Sequence, residues 1–336
     1  MSIAAILRSL NIPTEYSQYY YNQLTGEQKH IYQIIIAGIM VFSKKIKMPL
    51  RPVNELSKIW SYIMRDNPLL FYVSSFACQN DLYKQKCVFI PEYRYEPSRI
   101  KETMDAVVSN LQVFGAVKGR SDLEKEQFVH DYCSEHFSYG DIGDESHTIL
   151  GSILHKTAVC EGIANYVKAV LDYLGVGSIV VSGKAQSPFY HDKMENHAWN
   201  IVKADGAACH LDVTFDMTIK NKHIRYDYFN LCDDDIRKDH VIVGNVPKCT
   251  TAGKDYYTYN DMAAQGKNGL ENYIARKVKS GDKTIIVKLA GAENVNDICD
   301  KVMKVAGQTY ANIKGSGVSL EINANISQSV FEINFK

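Results

Sequence analysis

The 336-residue chain is 46% hydrophobic and carries 38 basic and 38 acidic residues, so its formal net charge is zero. That balance gives no overall attraction to nucleic acid, to anionic lipid or to an acidic partner. The length exceeds what one hydrophobic core usually fills, which predicts two or three domains.

The location of the protein is predicted from its N-terminal segment and its cysteines. The first residues show no basic leader followed by a long apolar run, and the most apolar window, 31–42, is too short to cross a bilayer. The eight cysteines form no CxxC pair, unlike the disulfide framework of a small secreted domain. We therefore expect a soluble cytoplasmic protein with reduced thiols; a secreted or cell-surface protein is the alternative.

Residues 1–118 are predicted to form a mostly helical N-terminal region with two strands. The capping-box pattern of Thr25 and Gln28 predicts the start of a helix, and a second helix fits 53–64. Segments 69–77 and 87–95 are rich in aromatic and β-branched residues, as strands are. A further helix is predicted from Pro97 to about residue 114.

Residues 119–246 are predicted to form a core in which one helix packs on an antiparallel sheet. A second capping-box pattern begins at Ser121, and a helix that begins near Cys160 is predicted to end at Gly175, where glycine can adopt the left-handed conformation. Strands are predicted at 178–185, 197–204 and 209–216. The Asp205-Gly206 pair favours a tight hairpin turn between the last two strands.

Residues 247–336 are predicted to form a small C-terminal α/β domain. Apolar periodicity indicates helices at 261–279 and 295–306 and strands at 284–290, 318–324 and 329–335. The fold class expected for the whole chain is α+β.

Three residues of the central segment form a candidate thiol site. Cys160 lies at the predicted start of a helix, where free N–H groups and the positive end of the helix dipole stabilise a thiolate. His197 and Asp212 lie on neighbouring predicted strands, where a carboxylate can orient an imidazole toward the sulfur. Strand alternation in 209–216 would place Asp212 on the polar face with His210 and Thr214.

Residues beside His197 are candidates for substrate binding. Alternation places Trp199 on the face of His197, where it either walls the cleft or packs in the core or at its rim. The preceding loop, 186–196, contains His191 and Asp192 and would border the acyl-donor site, although a solvated loop is the simpler interpretation.

The segments KTAVCEGIANYVKAVLDYLGV, ENHAWNIVKADG and HLDVTFD resemble the cysteine, histidine and aspartate motifs of the transglutaminase-like superfamily. They occur in the order of that family, and the resemblance covers roughly residues 120–216; the flanking segments are more weakly similar to bacterial, multidomain members. The resemblance implies a papain-like fold with Cys160, His197 and Asp212 as the catalytic triad. Glu161 follows the cysteine at a variable position and receives no catalytic role.

The resemblance also implies acyl transfer through a cysteine thioester on a protein or peptide substrate. Water would give hydrolysis or deamidation, and an amine would give transamidation. Hydrolysis of a peptide or amide is slightly favoured, because water is always present and no amine site is recognisable, with protein-glutamine transamidation as its rival. We expect no cofactor and no metal, since no calcium-loop motif is present, and the oligomeric state stays open.

Other functions remain as alternatives. A zinc site formed by His191, His197, Cys209 and His210 has the right residue types, but it lacks CxxC or HExxH spacing. A catalytically silent binding module with the same fold is the second alternative, and the intact triad argues against it. Nucleotide binding is not supported, because Gly175-Val-Gly177 is no full GxGxxG motif.

Overall fold

The structure is a computed structural model that describes residues 3–186, 193–291 and 298–336. Helices and antiparallel sheets are mixed along the chain, so the fold class is α+β, as the sequence predicts. Among the described residues, no helix combines the length and the apolar character that a membrane crossing requires.

The N-terminal part combines helices with one small sheet. Its helices are α1 (Ile3–Leu10), α2 (Tyr19–Asn22), α3 (Gly26–Met40), α4 (Val53–Asp66) and α5 (Pro97–Gln112), and its strands are β1 (Ile46–Pro49), β2 (Val73–Asp81) and β3 (Lys86–Tyr93). The Thr25 side chain accepts a hydrogen bond from Gln28 N, which completes the predicted capping box. The two predicted strands are present, but β1 pairs with β3 as a third that the sequence analysis missed.

The central part is a helix-and-sheet unit. Its helices are α6 (Asp122–His136), α7 (Cys160–Leu174), α8 (Val213–Ile219) and α9 (Asp233–Ile236), and its strands are β4 (Ser138–Tyr139), β5 (Thr157–Ala158), β6 (Gly177–Gln186), β7 (Met194–Ala204), β8 (Ala207–Leu211), β9 (Phe229–Leu231) and β10 (His240–Val243). Five of these strands form an antiparallel sheet in the order β10-β6-β7-β8-β9. The sheet therefore has two more strands than the three predicted.

Local sequence signals account for the ends of several central elements. Ser121 and Glu124 form the predicted capping box at the start of α6. Gly175 ends α7 with φ 74°, in the left-handed region where glycine is favoured. Asp205 and Gly206 join β7 to β8 with φ values of 47° and 82°, and two positive φ angles are the mark of the predicted hairpin turn.

Helix α7 is the centre of this unit, because nearly all of its residues are buried. Small side chains bring it close to the sheet: Ala164 packs on Val180 of β6 and Ala198 of β7. The buried Asn200 side chain joins the same layers, donating hydrogen bonds to the carbonyl oxygens of Ala164 (3.0 Å) and Ile179 (3.3 Å). These contacts fix the start of α7 relative to β7.

The C-terminal part contains a four-stranded sheet with two long helices. Its helices are α10 (Tyr256–Tyr259), α11 (Gly266–Ser280) and α12 (Ile298–Lys314), and its strands are β11 (Ala263–Gln265), β12 (Thr284–Ala290), β13 (Leu320–Asn325) and β14 (Val330–Phe335). The predicted helix at 261–279 is wrong at its start, because the chain first pairs with β12 as a strand. Residues 295–297 of the next predicted helix lie outside the described residues.

The buried residues form two main cores. The larger one runs from Leu10 to Phe229 and so joins the predicted N-terminal region to the predicted central core. The smaller one runs from Ala264 to Phe335 within the C-terminal part. The division at residues 118 and 246 stays a prediction.

Candidate active site

Cys160 is the first residue of α7 and is partly exposed. The N-cap residue, Val159, has no side-chain acceptor for the N–H groups of the first turn, so these groups remain available to a ligand. A Cβ on Gly162 would lie 2.1 Å from the Ser146 carbonyl oxygen. Only glycine permits that approach, which packs the residues before α7 against its first turn.

His197 lies on β7, directly opposite Gly183 of β6. Its Nε2 is 2.6 Å from Asp212 Oδ2, and the ring lies close enough to Cys160 for that thiol to contribute to the raised pKa of His197. Because Nε2 bonds the carboxylate, Nδ1 is the nitrogen that remains for the sulfur. The three predicted triad residues are therefore brought together in the predicted order of contacts.

The predicted strand at 209–216 is wrong in its second half. Strand β8 ends at Leu211, and helix α8 begins at Val213 with Asp212 as its N-cap. The Asp212 Oδ1 atom accepts a hydrogen bond from Phe215 N at 3.1 Å. Capping by aspartate outweighs the β-propensity of the residues that follow it. Asp212 thus reaches His197 from the start of a helix and not from a strand face.

Burial and charge oppose each other at this pair. Burial lowers the pKa of His197, but the charge of Asp212, its hydrogen bond and the contact with Cys160 outweigh burial and raise that pKa to about 10. Burial raises the pKa of Asp212, but the charges and hydrogen bonds of His197 and His240 hold it well below its usual range. His197 is therefore a cation at neutral pH, and Asp212 an anion.

A cavity of about 930 Å³ opens at Cys160 and His197. Residues of α4 and β2 line it from the N-terminal part, including Trp60, Arg65 and Val73. Tyr139 of β4 also lines the cavity. Burial is the largest cause that raises the pKa of the Tyr139 phenol, and the charge of Cys160 is the second. The sequence analysis assigned no role to the N-terminal residues, because nothing in their local pattern reveals which face meets α7.

Trp199 lies behind His197 and is 1% exposed, so it contributes to the packing of the sheet. Its ring stacks beside that of His197 with 6.0 Å between centroids, and its Nε1 donates to His210 Nδ1 at 3.0 Å. This burial matches the packing alternative of the sequence analysis, and a contact of Trp199 with substrate stays a prediction. His191 and Asp192, which the sequence analysis placed near the acyl-donor site, lie outside the described residues.

His240 is a residue of the site that the sequence analysis missed. It begins β10, which is an edge strand of the five-stranded sheet, and its Nε2 lies 3.1 Å from Asp212 Oδ2. A single histidine in a short β-rich segment carries no recognisable motif. Only the pairing of β10 with β6 brings it to Asp212.

Among the described residues, two members of the alternative zinc site, His197 and His210, lie in separate groups of possible metal ligands. His210 Nδ1 accepts the Trp199 N–H, so the ring proton is on Nε2, which donates to Asp233 Oδ1 at 3.0 Å. Burial lowers the pKa of His210 to about 4 and keeps it neutral. Although Cys249 lies close to this pair, a ring nitrogen that carries a proton has no lone pair for a metal. His191 lies outside the described residues.

Residues 113–213 match the sequence model of the Transglutaminase-like superfamily. This segment is a transglutaminase-like domain. It contains Cys160, His197 and Asp212, and the resemblance found in the sequence is confirmed for this part of the chain. Members of the superfamily usually act through a cysteine, and they include cysteine proteases and transglutaminases.

Two solved structures are similar to parts of this chain. One is described as a TGase, with 15% identity and a TM-score of 0.31 over 54% of this chain and 53% of that chain. The other is a proposed cysteine protease from Cytophaga hutchinsonii, with 12% identity and a TM-score of 0.27 over 42% and 61%. The chain thus spans about half the length of the first and less than two thirds of the second. No curated protein matches the sequence.

Proposed function

We propose that this protein is a cysteine-dependent acyltransferase or hydrolase that forms a thioester at Cys160. Its substrate is a peptide bond or a glutamine-type carboxamide of a protein or peptide. His197 is the acid and base of the reaction, and Asp212 orients His197. The proposal rests on the line of neighbouring side chains from Cys160 through His197 to Asp212, with Cys160 and His197 lining a large cavity and His197 hydrogen-bonded to Asp212.

The first half of the reaction transfers the acyl group to sulfur. The Cys160 thiolate attacks the carbonyl carbon, and the N–H groups at the start of α7 donate hydrogen bonds to the developing oxyanion. When the carbon–nitrogen bond breaks, His197 gives its proton to the leaving amine or ammonia. The products of this half are the thioester and a neutral imidazole.

The second half releases the acyl group. The neutral His197 takes a proton from water or from a primary amine, which attacks the thioester, and the carbon–sulfur bond breaks to restore the Cys160 thiolate beside the His197 imidazolium. Water gives a carboxylic acid, and an amine gives a new amide. Asp212 supports both halves, because its carboxylate stabilises the imidazolium and keeps Nδ1 directed at the sulfur.

The lining of the cavity carries more basic than acidic side chains. Arg65, Arg94 and Lys184 line the cavity together with the acidic Glu161, and Arg94 pairs with Asp144 at 3.0 Å. Glu161 already lies 3.4 Å from the imidazole of His147. The cationic lining favours a substrate with acidic or carbonyl-rich flanks around the scissile amide.

The test compares the parent protein with Cys160→Ala and a matched control, Cys299→Ala, which removes another partly exposed thiol from α12. Peptide libraries are followed by mass spectrometry for cleavage and deamidation, with and without a fluorescent primary amine. We expect the parent and Cys299→Ala to turn over and Cys160→Ala to be inactive but folded. An active Cys160→Ala protein would refute the proposal, and an inactive parent with an unreactive Cys160 would favour the silent binding module.

A further inference from the structure

His240 is bracketed by two carboxylates. Its Nε2 lies 3.1 Å from Asp212 Oδ2, and its Nδ1 lies 2.6 Å from Asp239 Oδ1. Carboxylate oxygens only accept hydrogen bonds, so both ring nitrogens carry protons and the ring is an imidazolium. The side chain is fully buried, where an unsatisfied charge would be costly.

A chain of hydrogen bonds continues from His240 to the C-terminal part. Asp239 Oδ2 accepts from the Tyr228 hydroxyl at 2.8 Å and from Gln328 Nε2 at 3.2 Å. Gln328 lies in the turn between β13 and β14, and its Nε2 also donates to the Asp235 carbonyl oxygen at 3.2 Å. Like His240, it is fully buried. The turn between β13 and β14 therefore contacts the central part at Asp239, whose carboxylate bonds His240.

We propose that His240 is a positioning residue of the active site, which holds the Asp212 carboxylate in the orientation that His197 requires. Asp239 and Gln328 extend this support to the C-terminal part. The inference rests on the proposed function, because it assigns a purpose to the orientation of His197. It goes beyond the triad, because it adds the His240 imidazole and the turn between β13 and β14 to the groups that position His197.

The geometry explains why Asp212 needs this third partner. Oδ1 accepts a hydrogen bond from Phe215 N at 3.1 Å, whereas Oδ2 accepts one from His197 Nε2 at 2.6 Å. The Nε2–H group of His240 donates to the same Oδ2 atom from a second direction. This hydrogen bond limits rotation of the Asp212 carboxylate about the Cβ–Cγ bond. The rings of Trp199 and Phe215 pack against His240, with 5.0 Å and 4.9 Å between ring centroids. These contacts restrict rotation of the His240 ring.

A shared metal ion is the competing explanation for the convergence of His197, Asp212 and His240, whose ligand atoms lie within 4.8 Å of one another. Tetrahedral ligands at 2.0–2.2 Å from zinc lie roughly 3.3 Å apart. The 2.6 Å between His197 Nε2 and Asp212 Oδ2 is shorter than that and corresponds to a hydrogen bond. The second carboxylate, Asp239, then neutralises the charge of His240.

The test uses His240→Leu and the matched variant His130→Leu. His130 is also fully buried between two carboxylates, but its ring nitrogens bond Asp131 at 3.0 Å and Asp216 at 3.1 Å and not Asp212. One measurement is the rate at which iodoacetamide alkylates Cys160 at pH 6. The other is the low-field proton resonance of the His197 Nε2–H group in protein labelled with ¹⁵N-histidine, which reports its hydrogen bond to Asp212.

We expect His240→Leu to lose or broaden the His197 resonance and to slow the alkylation of Cys160 by roughly 10-fold to 100-fold, the scale of a misplaced catalytic group. His130→Leu keeps both signals, even where its stability falls. If His240→Leu matches His130→Leu in both measurements, the inference is wrong. An equivalent of zinc in the purified parent that is absent from His240→Leu would also overturn it.

A second variant decides the case in which His240→Leu does not fold. Gln328→Met removes the donor to Asp239 and keeps His240, so a smaller loss in the same direction is expected, and unchanged signals would contradict the inference. The two measurements also separate the two proposals. If Cys160 of the parent reacts no faster than the other thiols, the proposed function fails, while the His197 resonance still tests the role of His240.

Discussion

Asp212→Asn is the substitution that tests the electrostatics of the site most directly. The carboxylate uses both oxygens as acceptors: Oδ1 for Phe215 N, and Oδ2 for the N–H groups of His197 and His240. An asparagine has one oxygen and one amide group, which donates. In either orientation, an amide N–H faces another N–H, so the cap of α8 or the contact with His197 is lost.

The magnitude follows from the pKa of His197. Contacts with Asp212 and Cys160 raise that pKa from 6.5 to about 10 against the opposing effect of burial, which corresponds to roughly 5 kcal/mol in favour of the imidazolium. The charge of Asp212 is the largest favourable contribution. Without the Asp212 charge, only the contact with Cys160 still opposes burial, and we expect the pKa of His197 to fall by at least about two pH units, or roughly 3 kcal/mol.

The measurement is an NMR titration of ¹⁵N-histidine-labelled protein, which follows His197 from pH 5 to pH 11. Asp255→Asn is the matched control, because Asp255 is also a buried aspartate that caps a helix, accepts from Thr258 N at 3.1 Å and pairs with a cation, Lys288, at 3.2 Å. The control is expected to leave the titration of His197 unchanged. A midpoint near pH 10 in Asp212→Asn would refute the electrostatic argument.

Two further predictions concern stability. Burial raises the pKa of Glu126 to about 8, so its neutral form contributes stability below about pH 4.5 that is lost as the pH rises to 8. Glu126→Gln is therefore expected to be more stable than the parent across this range, by up to about 5 kcal/mol in urea unfolding at pH 8. A difference in stability that does not change with pH would contradict this prediction. Lys168→Met leaves the buried Asp172 carboxylate, now 3.0 Å from Lys168 Nζ, without its cation and is expected to cost about 3–5 kcal/mol. Because burial raises the pKa of Asp172 to about 6, the loss of stability in Lys168→Met is larger at pH 8 than at pH 5. Adding Asp172→Asn is expected to recover part of this loss. Equal losses at both pH values would argue against a charged Asp172.

Local chemistry explains why much of the fold could be predicted. The caps at Thr25 and Ser121 and the left-handed Gly175 depend on a few neighbouring residues, and so does the Asp205-Gly206 turn. The errors fall where tertiary contacts compete with propensity. Asp212 has a β-like sequence after it, yet its carboxylate caps a helix.

The candidate triad could be located from the sequence because each member lies in a segment with a recognisable motif, and the match of residues 113–213 confirms the family of that segment. The catalytic roles of Cys160, His197 and Asp212 stay predictions until they are tested. Trp199 shows the limit of alternation, which predicts the face of a strand but not whether that face is open or buried. Here its ring is covered by the sheet and its neighbours.

The sequence by itself determined the transglutaminase-like motifs, the starts and ends of the main helices and the hairpin that brings His197 near Asp212, because these features depend on short-range contacts. Only the tertiary structure decided which remote residues complete the site. The pairing of β10 with β6 brings His240 to Asp212, and the packing of α4 places Trp60 in the lining of the cavity that contains Cys160. Such contacts join residues far apart in the chain, and no local pattern encodes them.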